Sequence, residues 1–141
     1  MLILPLALAA IVATTPAASS PIPQTQASCA QPAALAPSPG ERRAILDALR
    51  PVVTRELGGP VEFVVTQIRV IGPHAFVIVT PQRPGGRAIP QPSPEMDGVR
   101  TEAILAKRKG RWTVTQHGIG ATDVWYADEI DNYPAGLIPA C

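Results

Sequence analysis

Residues 1–40 contain no Lys, Arg, Asp or Glu, so all 12 basic and all 11 acidic side chains fall in the rest of the 141-residue chain. The folded unit is expected from residue 38, where a helix start closes this charge-free stretch. The roughly one hundred residues that remain are enough for one domain of ordinary size. Their charges nearly cancel, to a formal +1 at pH 7. Such a balance gives no overall pull toward nucleic acid or an anionic membrane. Two cysteines and two histidines are too few for a zinc ribbon or an iron–sulfur cluster.

The charge-free part divides in two. Leu2 to Ala13 is apolar apart from Pro5, and the small residues Thr14 to Ser20 follow it. That run has the length of a secretory h-region and falls short of the ~20 apolar residues of a membrane-spanning helix. Residues 1–18 therefore read as a signal peptide, with cleavage after Ala17, Ala18 or Ser19. A retained anchor or a cytosolic start is the alternative, because only the amino terminus supplies positive charge ahead of the run. Residues 19–37, rich in Pro, Ala, Gln and Ser, read as a flexible leader with little apolar surface to offset ordering. Residues 38–141 form the single expected domain, periplasmic or secreted, with no stable membrane anchor after processing.

Ser38-Pro39-Gly40-Glu41 is a helix start, with Ser38 as N-cap and Glu41 placed for a capping box. Leu46, Leu49, Val53 and Leu57 share one face, and Gly58-Gly59-Pro60 ends the helix. Pro51 predicts a kink or break near Arg50. Val61, Phe63 and Val65 alternate, then Ile68 and Val70 alternate in the opposite parity, which predicts a bulge near Thr66-Gln67. After a Gly72-Pro73 turn, Ala75 to Val79 suits a central strand. Residues 81–98 are a long Pro/Gly-rich loop. Val99 to Lys107 and Trp112 to Ile119 are strands around a Lys109-Gly110 turn. From Gly120 the pattern is ambiguous: Asp123 to Tyr126 could extend a strand, and Pro134 to Cys141 reads as irregular.

One helix followed by a four-stranded antiparallel meander is an α+β arrangement, the plan of cystatin-like or nuclear-transport-factor-like domains. Residues 41–50, Val61 to Val65, Arg69 to Gly72, Ala75 to Val77, Gly110 to Val114 and Gly120 to Tyr126 together resemble a group of small exported bacterial proteins without an assigned function. That resemblance implies an envelope protein and brings no catalytic residue with it.

Candidate sites follow from residue chemistry. In an exported chain Cys29 and Cys141 are expected to form a disulfide, with intermolecular pairing, free thiols or lipidation of Cys29 as alternatives. His117, with Asp123 six residues on, could make a carboxylate-oriented base, needing Thr113 or Thr115 as nucleophile. His74 reads as an exposed turn residue. Asp123, Asp128, Glu129, Asp131 and Asn132, interleaved with Trp125, Tyr126 and Tyr133, match no calcium-loop spacing and read as a solvated acidic tail. Lys107, Arg108, Lys109 and Arg111 crowd one turn without the aromatics that stack on bases. Arg83 and Arg87 could line a pocket mouth.

The expected inward set (Leu49, Val53, Phe63, Val65, Phe76, Leu105, Trp112, Val114) is apolar, which favours binding over chemistry. The leading expectation is a non-enzymatic module that binds an unknown protein or small molecule through the concave sheet face and the 81–98 loop. Contacts would come from Arg83, Arg87, His117, Asp123 and Trp125, with no cofactor, metal or nucleic acid. A small-pocket enzyme using His117 and Asp123, and an inhibitor that inserts the 81–98 loop, are the other readings.

Overall fold

The computed structural model describes Ile11, Ala13 and residues 35–140. The leader up to residue 34, most of the expected signal segment and both cysteines lie outside the described residues.

Helix α1 (Pro39–Leu57) starts as its first residues dictate, with the Ser38 hydroxyl accepting from the Glu41 amide at 3.2 Å. The other half of the capping box does not form, because the Glu41 carboxylate reaches across to Lys107 Nζ at 3.5 Å. The helix also passes through Pro51 unbroken. Pro51 is exposed, so water can serve the carbonyl that its ring leaves without a helical partner.

Four strands follow: β1 (Glu62–Ile71), β2 (His74–Gln82), β3 (Thr101–Arg108) and β4 (Arg111–Ile119). They pair antiparallel in the order β1-β2-β3-β4. The fold is therefore α+β, a single helix against a meander. The bulge falls between Val65 and Gln67 as the parity change requires. A second one, opposite Ile104/Leu105, makes Gln116 and Val114 partners of adjacent residues and leaves Thr115 unpaired.

The sheet is covered on both faces. Ile45, Leu49 and Val53 of α1 pack on Ile68, Ala75, Val77, Val79, Ala103, Leu105 and Trp112. On the opposite face Phe76, Ile78 and Ile104 are covered by Tyr126, Leu137 and Ile138, with Trp125, Ile130 and Tyr133 beside them. Those covering residues belong to a 3-10 helix (Trp125–Asn132) and the segment after it.

Two expectations change here. Phe76 does not face the helix, since β2 is apolar on both sides and its parity carries no signal. The tail is not a merely solvated acidic stretch: Asp128 and Asp131 are exposed, but Glu129 is half-buried and Tyr126 is buried.

Candidate functional site

The residues singled out from sequence do not converge. Arg83 is tied to the end of α1: its guanidinium donates to the Leu57 carbonyl at 2.6 Å and the Pro60 carbonyl at 3.2 Å. It thus satisfies acceptors that the C-terminal end of α1 leaves open. Arg87 is exposed, and its carbonyl accepts from the Arg83 amide at 2.8 Å, so the start of the 81–98 loop folds back on itself. The loop's other end is tied by the Asp97 amide to the Gly120 carbonyl at 2.8 Å.

His117 and Asp123 form no dyad. The unpaired Thr115 shifts the parity of β4, so His117 pairs with Ala103 and faces the helix side. There its Nε2 lies 2.5 Å from Glu56 Oε1. Thr115 offers no nucleophile to His117, because its hydroxyl donates to the Ile104 carbonyl at 3.0 Å. His74 sits edge-on to Tyr133, ring centres 5.4 Å apart. It is therefore half-covered rather than an open turn residue.

Asp123 and Trp125 belong to the opposite face, where sequence reading missed a buried carboxylate. Glu102 is outward in parity, as its alternation with Ala103 implies, yet only 5% exposed because the C-terminal segment lies over it. Arg100 Nε reaches its Oε1 at 3.2 Å. Burial raises the Glu102 carboxyl above its ordinary range; the Arg100 charge and the nearby Trp125 indole N–H oppose that, and the charge of Asp123 adds to it. The indole is close enough to favour the ionised form but off hydrogen-bond geometry, leaving Glu102 Oε2 and Trp125 Nε1 buried without partners. Nearby Arg69 is also buried, and one of its guanidinium nitrogens donates to the Gly136 carbonyl at 3.0 Å.

Because the folded-state carboxyl titrates higher than the unfolded one, the folded state holds the proton more tightly. Stability from this group is full below the unfolded value and is lost as pH rises through the folded one. Glu102→Gln keeps an acceptor and removes the charge. We expect its thermal midpoint to equal or exceed that of the wild type at neutral pH, with the difference shrinking as pH falls through the raised folded value toward about 4.5. Melts across that range check this; an equal loss of stability at neutral and acid pH would contradict it.

The arrangement that does converge lies at the start of α1. An open groove of about 390 Å³ runs between the first turn of the helix and the β3–β4 hairpin, lined by Ser38, Gly40, Glu41, Ala44, Lys107, Gly110 and Trp112. Lys107 lies over the Trp112 ring, 5.7 Å from its centre, with its stem spread on apolar surface. Arg42 and Arg43 on the helix and Arg108, Lys109 and Arg111 at the hairpin tip are all exposed; Arg108 and Arg111 pair with each other next to the Lys107–Trp112 pair, so they leave the sheet on the face away from the helix. The Arg42 and Arg43 side chains border a second open depression on the helix with Pro39, Leu46, Asp47 and Arg50. Asp47 is taken by Arg50, and Glu41 by Lys107.

Six of the 12 basic residues thus belong to the helix start and the hairpin tip, while residues 120–141 carry acids and no Lys or Arg. The described part of that acidic segment covers the other face of the sheet. The near-zero net charge conceals a segregated one.

Among the described residues no cluster of three His, Cys, Asp or Glu could hold a metal ion, and no helix is long and apolar enough to cross a membrane. Compared with known proteins, the chain matches no family model, no curated protein and no solved structure.

Proposed function

We propose that this protein is an exported, non-enzymatic binding module of the cell envelope, built on the cystatin-like plan, whose partner is negatively charged. Support for export comes from the apolar run Leu2 to Ala13 and the small residues after it. The observation that carries the binding reading is the concentration of six exposed cations, Arg42, Arg43, Lys107, Arg108, Lys109 and Arg111, on the first turns of α1 and the hairpin tip beside it. The carboxylates of Glu41 and Asp47 on those turns are already engaged. Clustered like charge raises the local concentration of counter-charged partners and speeds encounter.

With both sheet faces covered, the binding surface moves from the sheet to the helix start and hairpin tip. His117 is held by Glu56 and Asp123 lies on the far side of the sheet, so the His117–Asp123 dyad of the enzymatic reading is not assembled.

Titration with soluble anions, inositol hexakisphosphate and a short poly-glutamate peptide, tests the reading calorimetrically. Binding to at least one is expected, weakening as salt rises from about 0.05 to about 0.3 M. Absence of binding to any anion, vesicles included, at the lower salt would overturn it.

A further inference from the structure

On the sheet face away from α1, Arg69 is only 6% exposed, and it forms no ion pair among the described residues. A buried cation without a counter-charge is costly, so such groups are paired as a rule. Burial pulls the guanidinium below its ordinary pKa, with no neighbouring anion to hold it up. Its bonding is also one-sided. Nη1 donates to the Gly136 carbonyl at 3.0 Å, while Nε is buried and unpartnered. The Nε–H and Nη2–H bonds run parallel along the other edge of the guanidinium plane. That edge is the fork that grips both oxygens of a carboxylate.

His74 stands one diagonal step away. The pairs Arg69–Phe76 and Ile71–His74 of β1 and β2 put both side chains on this face, a diagonal separation of about 7–8 Å between backbones. The His74 Nδ1 is likewise buried and without a partner. One turn roofs both residues: Tyr133 lies edge-on to the His74 ring, and Gly136 takes the Arg69 bond. The roof opens at its rim, since Pro134, Ala135 and Gly136 are exposed and a Cβ on Gly136 would meet nothing within 4 Å. Ile71 and Tyr133, both half-buried, supply apolar surface beside the two polar groups.

We infer that Arg69 and His74 form a site for the carboxylate of a small, partly apolar molecule, held under the Tyr133–Gly136 turn. The Arg69 fork takes the two oxygens, and an N–H at His74 Nδ1 donates to one of them. The apolar remainder of the molecule lies along Ile71 and Tyr133. An inorganic anion has no part that gains from that surface. The site uses none of the exposed cations of the helix start and hairpin tip, so it stands or falls apart from the binding surface proposed there.

Proton–nitrogen correlation NMR of the whole protein tests this with sodium benzoate as the probe and sodium chloride at equal ionic strength as the reference. The Arg69 Nε–H and the Gly136 amide should shift saturably with benzoate and stay in place with chloride. Acetate, which lacks the apolar part, should bind at least about threefold more weakly. Arg69→Lys keeps the charge and loses the fork, so benzoate binding read at Gly136 should weaken by about tenfold or more. His74→Phe keeps a ring against Tyr133 and removes Nδ1, and about threefold weakening is expected. Arg55→Ser removes an exposed cation from the far end of α1 and should leave binding unchanged. Circular dichroism establishes that each variant is folded; should Arg69→Lys lose the fold, His74→Phe and the wild-type Nε–H signal decide.

Absence of a saturable shift at Arg69, or an equal shift with chloride, would overturn the site. So would undiminished binding in the folded variants, or shifts spread evenly over the exposed arginine side chains. Acetate binding as tightly as benzoate would overturn the partly apolar ligand.

Discussion

A chain ended at Gly120 should fail to fold cooperatively, although it retains the whole helix and all four strands. The deletion removes Tyr126, Leu137 and Ile138, which are 8%, 0% and 4% exposed. Burying each such side chain is worth about 1.5–3 kcal/mol, so the three together approach the ~5–15 kcal/mol of a typical domain. The loss is compounded on the sheet, where Phe76, Ile78 and Ile104 come into water. Arg69 also loses the Gly136 carbonyl.

The expected outcome is a compact state without a sharp thermal transition, binding a hydrophobic dye. Leu137→Ala in the full chain isolates packing from everything else the deletion removes, Cys141 included. It should cost about 2–5 kcal/mol in urea denaturation. A truncated chain that melts sharply near the full-length temperature would show that the second face is not part of the cooperative unit.

Gly120→Ala should be nearly as damaging, from a single added methyl. Gly120 adopts φ 61° and is buried where β4 ends. A Cβ there would stand 2.5 Å from the Gly98 carbonyl oxygen and 3.0 Å from Met96 Cβ and Cε. The methionine can move; the carbonyl belongs to backbone tied to the same junction. The Gly120 amide donates to Arg100 at 2.7 Å and its carbonyl accepts from Asp97 at 2.8 Å.

Left-handed backbone at a residue with a side chain costs roughly 1–3 kcal/mol, and relieving the collision has to loosen the end of the 81–98 loop. We expect a loss of at least about 2 kcal/mol, with faster amide exchange at Asp97 and Gly120. Gly40→Ala is the comparison, because a Cβ at Gly40 meets nothing within 4 Å and alanine favours the helix. Equal stabilities for the two variants would refute the argument.

Much of the local structure was legible in short stretches of sequence. Ser38 to Glu41 and Gly58 bound α1, the parity change after Val65 places the first bulge, and Gly72-Pro73 and Lys109-Gly110 mark the two hairpin turns. Each depends on groups a few residues apart, so composition and spacing suffice. The candidate site was legible only in part. The cations of the hairpin tip stand out as a run, but nothing connects them to Arg42 and Arg43, more than sixty residues earlier. Strict alternation along β4 would put His117 on the side of Thr113, away from Trp112 and Val114; the bulge opposite Ile104 and Leu105 turns it to the helix side, and no Gly, Pro or parity break in Trp112 to His117 announces that bulge.

The sequence by itself determined the α+β class, the ends of α1 and the hairpin turns, because capping and alternation act over short range. Tertiary structure alone decided that the sheet has two covered faces, that Glu102 is buried, that His117 meets Glu56, and that the helix start joins the hairpin tip. A strand apolar on both sides has no parity to announce which neighbour covers which face. The tail reads as polar until the sheet supplies an apolar surface for its aromatic side chains. That surface exists only once β1 to β4 have paired, so no local stretch of residues encodes it.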